Sequence, residues 1–191
     1  MSKKISIIGT GKVGSALRAG LSRVGCEVRS LKRGDSLQAA SWADVIILAV
    51  PFSSVADVAR ALETVADGKT VIDVTNALTP DFQLALGFTT SGAEELQKAL
   101  PRANVVKAFN TVFAHHMSEG KVKGQQLTAF AAGDNESARK TVLEMAKSMG
   151  FDAVDGGPLK NARYLEPLAF FNIQLGFVLG NGPNVGFSFI H

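Results

Sequence analysis

Ile5-Ser6-Ile7-Ile8-Gly9-Thr10-Gly11-Lys12-Val13-Gly14 decides the fold. An apolar run stops at a glycine, and two more glycines follow in the spacing G-x-G-x-x-G. A stretch rich in alanine and leucine begins at once. Gly9 permits the tight turn off a strand. Gly11 leaves room for a pyrophosphate against the backbone, and Gly14 lets a helix pack close to the strand. The start of that helix offers unpaired N–H groups and a partial positive charge to an anion. The strand before and the helix after give the motif its weight. It is not a P-loop, because Lys12 sits inside the glycine triplet and no G-K-[ST] follows. A bare glycine-rich turn fits the same ten residues, so the rest of the chain must separate the two.

Composition narrows the classes. The chain has 191 residues, 46% of them hydrophobic and 19% charged, which describes a globular protein able to bury a core. A formal charge of +3, with no basic stripe interleaved with aromatics, gives no case for nucleic acid. Cys26 is the only cysteine, so no internal disulfide or cysteine metal cluster can form, and a reducing, cytoplasmic location is expected. Cys26 reads as a buried, inert thiol. The apolar start is too short for a signal peptide. Leu165–Leu179 is interrupted by Glu166, Pro167, Asn172 and Gln174 and falls short of the ~20 residues of a membrane span. It reads as a helix apolar nearly all round and therefore buried.

The chain in order predicts alternating helices and strands. A helix over Ser15–Val24 and a strand over Glu27–Leu31 complete a βαβ unit. The end of that strand selects the cofactor. An NAD site places an Asp or Glu about 20 residues beyond the glycines, on the ribose 2′-OH. Here the tip reads Ser30-Leu31-Lys32-Arg33, with no carboxylate and two cations. A guanidinium and an ammonium hold a 2′-phosphate, so the residues favour NADP(H). Asp35 lies close by, and solvated loop charges are the plainer alternative.

Gly34–Ala43 has room for one short helix around Ser36–Ser41, not for helix, strand and helix. Val45–Val50 is a continuous apolar run, as in a parallel strand buried on both faces. Its exit, Ala49-Val50-Pro51, lies where ligands bind in open α/β sheets. A helix over Val55–Glu63, a strand over Thr70–Val74, an irregular stretch Thr79–Thr90, a helix over Ala93–Leu100 capped by Ser91, and a strand over Val105–Phe109 follow. Asn76 and Asn110-Thr111 stand at the exits of these two strands. A strand Leu127–Ala132, a helix Ser137–Met149 capped by Asp134 or Asn135, and a strand Asp152–Asp155 complete the pattern. The fold class is α/β: a Rossmann-like, mostly parallel, doubly wound sheet with a shortened connection after its second strand and a C-terminal helical tail. Residues 1–158 form the dinucleotide-binding domain. Residues 159–191 form a helix and tail packed on it or on a partner subunit.

His115-His116 is no metal pair, since adjacent side chains diverge. No Ser-His-Asp order, H-E-x-x-H or zinc spacing appears, and no residue stands out as a catalytic acid or base. Reducing a carbonyl needs a proton donor near the oxygen, with only Tyr164 or an Asn with water to serve. Passing hydride to a flavin-like ring mainly needs two rings held face to face. The absence tilts the reading toward a flavin-type acceptor.

Four segments together carry a resemblance. They are Gly9–Gly14, Val50-Pro51, Val106–Ala114 and Asp155–Arg163, and Gly182–Phe189 adds to them. The chain resembles the NADP oxidoreductases dependent on the deazaflavin coenzyme F-420. Its later segments are also similar to the NADPH-binding domain of the STEAP metalloreductases. The resemblance implies NADPH binding, hydride exchange with a flavin or deazaflavin (coenzyme F-420, FMN or FAD), and a homodimer built partly with the C-terminal segment. Carried over by position, Thr10–Val13 meet the pyrophosphate, and Ser30, Lys32 and Arg33 meet the 2′-phosphate. Val50, Pro51, Asn110, Thr111 and Leu159 border the nicotinamide and the acceptor ring. The alternatives are a small-substrate NADP-dependent dehydrogenase or imine reductase, and a non-enzymatic NADP-binding redox sensor.

Overall fold

In the computed structural model, which describes residues 3–190, the opening run forms strand β1 (Lys4–Ile8) and the glycine turn passes directly into helix α1 (Lys12–Arg23). Strand β2 (Glu27–Leu31) completes the first βαβ unit. A single 3-10 helix, Leu37–Trp42, separates it from β3 (Val45–Leu48). Helix α2 (Val55–Leu62), β4 (Thr70–Asp73), α3 (Gly92–Ala99) and β5 (Asn104–Ala108) follow. A hairpin of β6 (Lys121–Val122) and β7 (Gln125–Gln126) precedes β8 (Thr128–Gly133), α4 (Glu136–Met149) and β9 (Asp152–Asp155). Helix α5 (Ala162–Ile173) continues into a π-helical turn, Gln174–Val178, and an extended tail.

The main sheet runs β2-β1-β3-β4-β5-β8-β9. β1 to β5 are parallel, β8 joins β5 antiparallel, and β9 lies parallel to β8. The Rossmann-like sheet is the one the sequence predicts. β2 is its edge, because the short Gly34–Ala43 connection leaves no length for a strand beyond it. Strand order reverses between β1 and β3, so the crevice above their carboxyl ends is the topological switch point.

The central strands are buried on both faces. Ile5, Ile7 and Ile47 pack with Leu17, Leu21, Val142 and Met149 on one side. Ile8, Ile46 and Leu48 pack with Leu62 and Leu96 on the other. Each such side chain contributes roughly 1.5–3 kcal/mol, so this two-sided burial dominates the stability of the sheet. The helix ends follow local chemistry. Ser91 and Asn135 accept hydrogen bonds from the N–H groups of Glu94 and Ala138, and Gly150, at φ 106°, ends α4.

Several expectations are corrected. The strand read as Val45–Val50 stops at Leu48, and the one read as Val105–Phe109 stops at Ala108. Phe109 takes φ 62°, which turns the chain out of the sheet. A left-handed conformation costs a non-glycine residue about 1–2 kcal/mol. Full burial of the Phe109 ring, edge-on to Phe151 at 5.8 Å, offsets it. The β6–β7 hairpin has two residues a side, too few for a periodic signal. Cys26 is only half-buried, although burial still raises its thiol pKa.

The C-terminal helix is not buried all round. Ala162, Leu165, Glu166, Ala169 and Asn172 face inward, but Tyr164 and Phe171 are more than half exposed, as are Phe177, Val178 and Leu179. Only one side of α5 meets the domain, chiefly at α3. The tail is pinned at Thr128, whose N–H donates to Phe187 O at 3.0 Å and whose Oγ1 accepts from Phe189 N–H at 2.8 Å. Among the described residues no helix is long and apolar enough to cross a membrane.

Candidate dinucleotide site

The three glycines of the turn are not equivalent. A Cβ on Gly9 would overlap the Ala49 carbonyl, and one on Gly14 would overlap the Gly9 carbonyl. The protein itself therefore requires both. A Cβ on Gly11 would meet nothing within 4 Å, and its backbone, at φ −70° and ψ −173°, suits any residue. Nothing in the folded chain explains a glycine there, whereas an anion lying against the backbone does.

The helix that follows is also open at its start. α1 has no side-chain cap and no acidic residue in its first turn. In contrast, Ser91 and the Glu166 carboxylate satisfy the start of α3, and Asn135 satisfies that of α4. The first N–H groups of α1 have no helical acceptor and point, with the positive end of the helix dipole, at the crevice.

Two cavities flank this turn. The first, of about 370 Å³, is lined by Gly9, Thr10 and Gly11, by Leu31, Lys32 and Arg33 at the exit of β2, and by Ala49, Val50 and Pro51 at the exit of β3. Lys32 and Arg33 are exposed at its rim. Asp35 Oδ2 accepts the Lys32 backbone N–H at 2.9 Å, so this carboxylate closes the loop. The second cavity, of about 220 Å³, lies across the start of α1. Val13, Asn76, Asn110, Phe113, Ile173 and Phe177 contribute to its wall, and no acid or base is among the residues lining it. Phe113 and Phe177 stand with ring centroids 5.1 Å apart.

The remaining expected site residues lie outside both linings. Ser30 is within β2, and Lys12 projects from the first turn of α1 into solvent. Thr111 is buried, with its carbonyl accepting from Asn172 Nδ2 at 3.1 Å. Leu159 is 2% exposed and packs in the core with Leu96 and Leu100, its N–H donating to Asp134 Oδ1 at 2.9 Å. The 3-10 turn Leu159–Asn161 packs against β8 before α5 begins, which holds the Leu159 side chain in the core.

Sequence reasoning passed over one cluster. Lys107 on β5 is fully buried between two carboxylates, Asp73 Oδ2 at 2.9 Å and Glu166 Oε1 at 2.8 Å, and also donates to the Thr75 carbonyl. Glu166 accepts in addition from Gly92 N–H at 2.9 Å and Ala93 N–H at 3.2 Å. Burial pulls the Lys107 ammonium toward neutrality, but the Asp73 and Glu166 charges outweigh it and raise its pKa above the ordinary lysine range. The cluster joins β4, β5, α3 and α5. Beside it, Arg163 grips Glu94 with Nη2 2.7 Å from Oε1, and this hydrogen bond holds the Glu94 carboxyl below the usual range. A signal was present. Asp73 and Lys107 each interrupt an apolar strand, and they face each other in register.

The sheet, the switch-point turn and the paired cavities define a Rossmann-type dinucleotide-binding domain. Residues 29–77 match the family described as NADP oxidoreductase, coenzyme F-420-dependent. It is 33% identical over 183 residues to rat metalloreductase STEAP3, a match covering 86% of this chain and 36% of that protein. It is 29% identical over 140 residues to the F-420-dependent NADP reductase of Methanocaldococcus jannaschii, covering 70% of this chain and 62% of the relative. The chain thus spans little more than a third of STEAP3. Its fold superposes with a TM-score of 0.89 on the crystal structure of a candidate F-420-dependent NADP reductase from Arthrobacter sp. FB24, at 26% identity and over 100% of both chains.

Proposed function

We propose that this chain is an oxidoreductase that binds NADP(H) across the β1/β3 switch point and exchanges hydride with a flavin-type acceptor: coenzyme F-420, FMN or FAD. The observation that carries the reading is the α1 start. It is uncapped and free of acid, it lies behind a glycine that the fold does not need, and it stands between a cation-rimmed cavity and an aromatic one. The pyrophosphate lies against Thr10–Val13, the 2′-phosphate against Lys32 and Arg33, and the nicotinamide toward Asn76 and Asn110. NADPH supplies the hydride. The chain orients the ring and excludes water, and the lining of the second cavity supplies no proton donor, as suits transfer to a flavin better than reduction of a carbonyl.

The test is direct. NADPH oxidation is followed by absorbance with FMN, FAD and the deazaflavin in turn, and turnover with one of them is expected. Tight NADPH binding without turnover on any acceptor sinks the enzymatic reading and leaves a redox sensor. Replacing Lys32 and Arg33 with alanine is expected to weaken NADPH on the order of tenfold and NADH much less, since only NADPH has the extra charged partner. Equal weakening removes the 2′-phosphate assignment. The reading extends to a homodimer through the exposed face of α5, where Tyr164 and Phe171 are uncovered. Sedimentation giving a single 20.1 kDa species would remove that extension.

A further inference from the structure

The second cavity is small for the ligands it must take together. Its volume is about 220 Å³, below the roughly 300–1,000 Å³ of sites that bury a drug-sized ligand. A nicotinamide ring with a three-ring flavin stacked on it needs more room than that, so one wall must move. Val74, Phe109, Val112 and Met117 of the lining belong to the packed core and are fixed. The wall made by Phe113 and Phe177, with ring centroids 5.1 Å apart, is different. Phe177 stands on the π-helical turn Gln174–Val178 and is 59% exposed, so little packs behind it.

A π-helical turn holds one residue more than an α-helical one, and such turns occur mostly at functional positions. Here the chain that follows keeps the turn in place. Gln174 O accepts from Leu179 N–H at 2.9 Å, Leu175 O from Asn181 Nδ2 at 2.7 Å, and Gly176 O from Gly182 N–H at 2.8 Å. Gly176 is a glycine of necessity, since a Cβ there would lie 2.8 Å from the Phe113 ring. The tail is in turn pinned at two places. His116 Nε2, three residues on from Phe113, donates to the Pro183 carbonyl at 2.9 Å. Thr128 holds Phe187 and Phe189. Between the turn and these pins the tail forms no helix or strand, and Gly180 and Gly182, both at φ 75°, let the backbone swivel.

We infer that the tail, residues 179–189, is a strap that holds the Phe113–Phe177 gate shut and lets go when a planar acceptor enters. Release of the strap frees the π-helical turn to rewind as an α-helix. Each α-helical residue turns the chain by about 100°, so loss of the extra residue swings Phe177 off Phe113 and opens the cavity. The closed strap weakens acceptor binding in proportion to the fraction of molecules that are open, and leaves binding at the glycine turn of β1 and α1 untouched. The inference rests on the flavin-type acceptor reading above.

Equilibrium binding tests it, first with NADP⁺ alone and then with FMN, FAD and the deazaflavin added in turn to NADP⁺-loaded protein. His116→Ala removes one pin, and Thr128→Val removes the hydroxyl of the other. Each variant is expected to bind the acceptor roughly two- to tenfold more tightly than the unaltered protein, the effect of one hydrogen bond on the opening equilibrium, with NADP⁺ affinity within about twofold of the original. A tail that only props the fold would make acceptor binding weaker or leave it alone. A variant that keeps NADP⁺ and binds the acceptor no more tightly therefore overturns the inference. Hydrogen exchange on the unaltered protein needs no variant to fold. The acceptor is expected to speed exchange severalfold at the Thr128, Gly182 and Phe189 amides. Unchanged or slower exchange there overturns the inference and leaves the acceptor reading intact. Failure of all three acceptors to bind, with NADP⁺ still bound, overturns the acceptor reading and the inference with it.

Discussion

Gly11→Ala is expected to fold and melt like the unaltered protein and to lose most of its affinity for NADPH. The added methyl group meets no protein atom within 4 Å, and the backbone angles at Gly11 suit alanine. Stability therefore has no reason to fall, and alanine's smaller unfolded-state entropy favours the fold slightly. The methyl group instead occupies the space in which a pyrophosphate approaches the first N–H groups of α1. A hydrogen bond to a charged group contributes about 1.5–3 kcal/mol, so losing one weakens binding roughly 10- to 150-fold. Gly9→Ala and Gly14→Ala are the contrast, because their Cβ atoms overlap backbone carbonyls and must disturb β1 and α1 themselves. Paired measurements of melting temperature and NADPH affinity check the argument. Undiminished NADPH binding by Gly11→Ala would falsify the placement of the pyrophosphate at this turn.

Lys107→Met is expected to cost about 3–5 kcal/mol, the range for breaking a buried ion pair from one side. For a domain of this size that lowers the melting temperature by roughly 6–20 °C. Methionine fills the space, so the loss is electrostatic. Asp73 and Glu166 are then left facing each other with 1% and 0% side-chain exposure, and one of them must fold with a proton bound. This reverses a pH dependence. In the unaltered protein Lys107 has a raised pKa, so its contribution is complete below the ordinary lysine pKa and is lost only as the pH rises through the higher folded value. In Lys107→Met the folded state takes up a proton that the unfolded state lacks near neutrality, so the variant gains stability as the pH falls from 7 toward 5. Denaturant titrations across that interval decide the matter. A variant as stable as its parent, or one that loses further stability on mild acidification, contradicts the assignment.

The parts legible in the sequence share a property: each is encoded locally. Val45–Leu48 reads as a doubly buried strand because every residue is apolar, and Ser91 and Asn135 cap helices by bonding backbone within three residues. Lys32 and Arg33 lie at the rim of the first cavity because they directly follow a strand whose partner is fixed by the βαβ unit. The burial of Leu159 was not legible, for the opposite reason. Its neighbours in the chain suit a ligand loop, but its side chain is drawn into the core among Leu96 and Leu100. The exposure of Phe171 on α5 was equally illegible, since hydrophobic periodicity records what a helix could bury and not how many sides find a neighbour.

The sequence alone determined the turn at Gly9–Gly14, the parallel order that follows from short helical crossovers, and the cation-bearing exit of β2. Contacts within a few residues, or a connection with one handedness, fix all of these. Tertiary structure decided which glycines the fold needs and which it leaves for a ligand, because the overlap at Gly9 is with Ala49, forty residues away, and the one at Gly14 is with the Gly9 carbonyl. It also joined Asp73 to Lys107 and Asn76 to Asn110 across 34 residues, and Lys107 to Glu166 through a helix from the far end of the chain. Such pairs come from the register of separate strands, which no single stretch of sequence contains.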